Sequence, residues 1–138
     1  LIGFAGGPST ADGEKRKQAW NLGEEIAAGS FYPIPGVDPN KLPGYTVKEY
    51  AKEHPLNKHL IEIVNIEPGR GKYSHWHDNA ETFAVILEGR GEYLLDEDGG
   101  LPVAPGDFIH SLPGELHGAR NTGDGPLRYI KIVGPLPL

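Results

Sequence analysis

At 138 residues and 14.9 kDa, with 38% hydrophobic residues and a mean hydropathy of -0.40, the chain has material for one domain around one core. A formal net charge of -6 and a pI near 5.4 argue against nucleic acid or anionic membrane as a partner, because phosphate contacts need clustered Lys and Arg. Cysteine is absent, which excludes disulfides, thiolate nucleophiles and Cys-held zinc, so any metal has to sit on His and carboxylate.

In chain order, residues 1–45 read as an irregular N-terminal extension or arm. "LIGFAGG" is too short for a signal core, and no apolar run reaches the roughly 18 residues of a membrane span. The chain starts at Leu1 rather than Met and reads as trimmed or processed; a cytoplasmic location is expected. "EKRKQAWNLGEEIAA" is a frayed helical piece with a solvated basic start; it offers Trp20, Leu22 and Ile26 for packing on a barrel or on a second subunit. "FYPIPGVDPNKLPG" (31–44) carries four prolines and reads as an extended connection, since proline supplies no ladder donor. His54 and His59 lie in a Lys- and Glu-rich stretch and read as solvated surface.

Residues 46–138 read as a single all-β domain. "HLIEIVNIEPG" alternates Leu60, Glu62, Val64 and Ile66 against Ile61, Ile63, Asn65 and Glu67, a period-two pattern apolar on both faces over part of its length. "TFAVILEG", "GEYLLDEDGG", "LPVAPGDFIHSLPG" and "LRYIKIVG" follow as short strands closed by Gly or Pro. Gly (20) and Pro (13) make up nearly a quarter of the chain and fall at the turns between these strands. Strands about 8 to 12 residues apart, with no helix of useful length between them, point to a sandwich or barrel and away from a parallel βαβ sheet.

His75 and His77 are two apart, so on a strand both imidazoles leave the same face. Buried ring nitrogens need partners, and a metal is one. With its flanks, "GRGKYSHWHDNAETFAVILEG" (69–89) resembles the first motif of the cupin superfamily, and "GDFIHSLPGELHGARN" (106–121) resembles the second. Gly69, His75, His77, Gly89, Gly106, Gly114, His117 and Asn121 stand where that family places them, and the match runs over about residues 60–134. The resemblance implies a small mono-cupin, that is, a double-stranded β-helix or jelly-roll barrel with a metal inside one end. It implies His75, His77 and His117 as ligands of one divalent transition metal: Fe, Mn, Ni, Cu or Zn. Neutral imidazoles suit all five, and three protein ligands leave positions for water and substrate.

A fourth ligand is ambiguous. Glu81 satisfies the spacing counted from His77 and is taken as a candidate metal ligand, whereas counting back from Gly89 puts Thr82 at the family's glutamate position. Neighbouring side chains on a strand face opposite ways, so only one can point inward unless a bulge intervenes. His110, seven residues before His117, is a candidate general acid or base, and Tyr73, two before His75, a candidate hydrogen-bond donor to substrate. Trp76 should face away into packing. Leu112 replaces the family's proline, with Pro113 next to it, and Asn121 should fix the following turn by bonding to backbone. The function these residues imply is a metal-dependent enzyme on a small oxygen-rich molecule, dioxygenase-like oxidoreductase chemistry leading. The alternatives are non-redox isomerase, lyase or epimerase chemistry, or binding without turnover. A homodimer is implied by resemblance.

Overall fold

The computed structural model describes residues 16–71, 74–95 and 99–137. The chain divides into two compact units, residues 1–30 and residues 31–138. The described part of the first carries one short helix, α1 (Leu22–Ala28), in the predicted helical piece. Asn21 caps it, its side-chain oxygen accepting from the Glu24 amide at 2.9 Å, and Gly29 ends it at a positive φ of 72°.

Among its described residues the second unit holds nine strands: β1 (Tyr32–Pro33), β2 (Tyr45–Tyr50), β3 (Leu60–Ile66), β4 (Glu81–Glu88), β5 (Gly91–Leu94), β6 (Gly100–Val103), β7 (Phe108–Ser111), β8 (Ala119–Asn121) and β9 (Leu127–Gly134). They form a six-stranded antiparallel sheet in the order β1-β2-β3-β9-β4-β7 and a three-stranded sheet in the order β6-β5-β8. This is the expected all-β jelly-roll layout. No helix among the described residues is long and apolar enough to cross a membrane.

The barrel unit starts at Phe31, earlier than the boundary at 45 read from the sequence. The proline-rich stretch is not a free connection. Tyr32 and Pro33 pair with Val47 and Thr46, and Tyr32, Ile34 and Leu42 pack against the core. The prolines misled because an edge strand tolerates a residue without an N–H.

Period-two alternation sets what faces inward. On β3, Val64 and Ile66 enter the core; on β4, Ala84 and Ile86; on β9, Leu127 and Tyr129. Tyr93, Val103 and Ala119 complete it from the smaller sheet. Tyr45 and Tyr129 share a hydrogen bond of 3.2 Å between their hydroxyls, which satisfies both phenols inside an apolar interior. Asn121 ties the second motif to the sheet: its Nδ2 donates to the Ile66 and Gly125 carbonyls at 2.8 Å each, and its Oδ1 accepts from the Gly123 amide at 2.9 Å.

Candidate metal centre

His75 and His117 are brought together by the backbone. They exchange both main-chain hydrogen bonds, His75 N–H to the His117 carbonyl at 2.9 Å and His117 N–H to the His75 carbonyl at 2.8 Å. In an antiparallel pair, directly opposed residues put their side chains on one face, so this bridge aims both imidazoles the same way. His77 follows two residues on and returns to that face, and the Gly114 amide donates to its carbonyl at 2.8 Å, locking the first motif to the turn of the second.

The three rings therefore converge. Their centroids are 4.5 to 5.2 Å apart, and their candidate ligand nitrogens lie within 4.8 Å of one another. Two nitrogens on one ion sit at most about 4.2 Å apart at a metal–nitrogen distance of about 2.1 Å. The nitrogens exceed that spacing by no more than about 0.6 Å.

The donor set fits a metal on three counts. His77 Nε2 is buried and has no hydrogen-bond partner among the described residues, an arrangement a metal would satisfy. His117 Nδ1 lies 3.0 Å from the Glu115 carbonyl, which can only accept, so Nδ1 carries the proton and Nε2 presents its lone pair to the centre. Both rings favour the neutral form that metals bind. Burial, then the Lys131 charge, lowers the His77 pKa. Burial also lowers that of His117, and His77 and Lys131 add to this against the opposing pull of the Glu115 carbonyl.

Thr82 takes the inward place on β4. It is 1% exposed, its Oγ1 lies 3.3 Å from His117 Nε2, and its cross-strand neighbour is the buried Ser111. Glu81, expected as a ligand, points the other way: strand alternation puts it on the outer face, where its Oε1 is 2.9 Å from His110 Nε2. That corrects two expectations together. Glu81 does not join the three histidines, and His110 does not reach the interior; it is paired across the strands with Phe83 and stacks on that ring at 4.7 Å. Tyr73 lies outside the described residues. Trp76, expected to be packed, is exposed.

A cavity of about 240 Å³ opens beside the histidines, below the range of roughly 300–1,000 Å³ usual for drug-sized ligands, so it suits a small molecule. His75 and His77 line it together with Glu49, Glu62 and Lys131; Ile34, Pro35, Val37 and Leu60 supply aliphatic wall. Tyr32 donates to Glu49 at 2.9 Å, and Lys131 Nζ lies 2.9 Å from Glu62 Oε1. Burial opposes the Lys131 charge, but Tyr45 and Glu62 more than offset it and hold its pKa above the usual lysine value. Glu62 and Lys131 escaped the sequence reading. The signal was present as a charged residue in the inward phase of two apolar strands, Glu62 among Leu60, Val64 and Ile66, and Lys131 among Leu127, Tyr129 and Val133.

The chain is 29% identical over 84 residues to the Oxalate-binding protein of Thermotoga maritima, an alignment spanning 60% of this chain and 69% of that one. Its fold matches a structure of a predicted oxalate decarboxylase from Thermotoga maritima, with a TM-score of 0.61 and 26% identity over 67% of this chain and 81% of the other. It also matches a Klebsiella pneumoniae protein with a double-stranded β-helix domain, with a TM-score of 0.64 and 22% identity over 87% and 91% of the two chains. The family model of the cupin domain matches residues 62–133, which take in both histidine motifs and the strands that carry them, and the chain belongs to the cupin family.

Proposed function

We propose that this chain is a metal-dependent enzyme acting on a small oxygen-rich organic molecule, with His75, His77 and His117 holding one divalent transition metal. The observation that carries the reading is the convergence of three imidazoles beside a small cavity, one of them with a buried Nε2 that has no partner among the described residues. When bound, the metal supplies a Lewis acid and a template for substrate oxygen atoms. The Glu115 carbonyl fixes the His117 tautomer, Thr82 occupies the inward position on β4 without adding a negative charge, and Ile34, Pro35, Val37 and Leu60 give the cavity an aliphatic wall.

Dioxygenase-type oxidation is the leading reaction. A three-histidine set leaves more open positions than one closed by a carboxylate, as oxidation needs if substrate and oxygen are to meet at one ion. Metal analysis of the purified chain, followed by oxygen uptake with ferrous ion across a panel of diketones, phenolic acids and sugar acids, tests it. The reading predicts retained metal and uptake that His117→Ala abolishes. Uptake that survives His117→Ala defeats the oxidative reaction, and failure to retain any transition metal with all three histidines intact defeats the enzyme.

A second reading, non-redox turnover or plain ligand binding at the same centre, is favoured by the relative named for binding oxalate. Turnover without oxygen, or tight binding without turnover, would select it.

A further inference from the structure

The cavity beside the histidines contains a charged pair that metal binding does not require. Glu62 and Lys131 are direct cross-strand partners on β3 and β9, 2.9 Å apart, with side chains 4% and 7% exposed. Burying two charges is costly, and well-packed apolar residues in their place are often as stable or more so, so stability is a weak reason for the pair. Its position supplies a better one. Both residues line the cavity that His75 and His77 border, and the Lys131 charge is felt at His77 and at His117. Glu62 and Glu49 together offset Lys131 and one charge of a divalent ion, so a loaded centre would leave the chamber with one excess positive charge, which a single anion offsets. An ammonium has three donors, and the contact with Glu62 engages one.

The other lining groups narrow the ligand. Glu49 and Glu62 would repel a second negative group, while Ile34, Pro35, Val37 and Leu60 offer aliphatic surface. We propose that Lys131, positioned by Glu62, is the recognition residue for a carboxylate, and that the ligand is a small monocarboxylic acid with its carboxylate between Lys131 and the metal and its short apolar tail on the aliphatic wall. This rests on the three-histidine metal reading.

The test uses the full chain loaded with cobalt(II), followed by calorimetry and the cobalt absorption band. The probes are α-ketoisovalerate and its neutral counterpart, methyl isopropyl ketone. The wild type should bind the acid at least about tenfold tighter than the ketone, the scale of one charge-assisted contact. Lys131→Met alone leaves Glu62 buried and unpaired, so the informative variant is Lys131→Met with Glu62→Gln. The carboxylate keeps its contact with cobalt in this variant, so the acid should bind at least about tenfold weaker than it does to the wild type while the ketone stays within about threefold, and cobalt affinity should stay within about threefold of the wild type, which shows that the variant is folded. A double variant that binds the acid within about threefold of the wild type, or a cobalt-loaded wild type that does not discriminate, overturns the role of Lys131 and leaves the metal centre standing. Failure of the wild type to bind cobalt overturns both.

Discussion

The contact between Glu81 and His110 has good geometry at 2.9 Å, but both side chains are about 40% exposed, and ion pairs in that setting contribute roughly 0–1 kcal/mol. Thr82, one residue on, is buried against His117. Glu81→Ala should therefore cost less than about 1 kcal/mol of stability and leave metal affinity unchanged, while His117→Ala should weaken metal binding by more than about 100-fold. Titration calorimetry with cobalt or nickel checks both, and a tenfold loss in Glu81→Ala would restore the glutamate to the centre. The histidines also predict a pH dependence for the metal-free protein. The folded pKa values of His77 and His117 lie below the usual histidine value, so between those values and about 6.5 the unfolded chain binds more protons. Stability present above about pH 6.5 should then fall as the pH drops through the folded values. Urea unfolding in the presence of a chelator should show this decline, shallower in His117→Asn.

Among the elements, β4 carries the most positional information. It pairs with β9 on one side and β7 on the other, and its register with β9 shifts between Ile86 and Glu88, just before the turn at Gly89. That bulge lies beyond Thr82, so the face of Thr82 follows from plain alternation with Ala84 and Ile86. Gly89 has a φ of +86°, and a Cβ there would run into the Pro126 carbonyl oxygen. Gly106 has a similar φ of +95°, but a Cβ would meet nothing within 4 Å. Gly89→Ala should then cost about 2–4 kcal/mol, strain plus a backbone clash, and Gly106→Ala about 1 kcal/mol, strain alone. Chemical denaturation of the two variants separates these outcomes, and equal losses would show that the approach of Pro126 is not limiting. Strands with an apolar face and a Gly or Pro stop were legible in the sequence: "LRYIKIVG" is β9 residue for residue. β1 and β2 were not, because edge pairing by Tyr32 and Pro33 leaves no hydrophobic run to read. Nor was the facing of Glu81, since both faces of β4 are apolar and periodicity could not choose between them.

At the scale of the whole molecule, the fold and the three histidines were readable because each depends on local spacing, two residues within one motif and a turn within the other. Glu62 and Lys131 each stood out locally as a charge in the inward phase of an apolar strand, but their pairing depends on a register between strands far apart in sequence, which no local pattern encodes. The histidines, too, come from separate stretches: the His75 segment and the His117 segment meet through two backbone hydrogen bonds, and His117 touches Thr82 on β4 of the larger sheet. A metal at this point binds an arrangement that exists only in the folded chain, so binding and folding are linked. Metal at about 100 times its dissociation constant should stabilise the protein by about 2.7 kcal/mol, with the midpoint of thermal unfolding rising as metal is added and returning on chelation. His75→Ala and His117→Ala should flatten that response without abolishing folding, because neither imidazole belongs to the apolar cluster formed by Val64, Ile86, Leu127 and Tyr129. A wild-type midpoint that does not move with cobalt, nickel, manganese, ferrous ion or zinc would mean that the three imidazoles converge for a reason other than a metal.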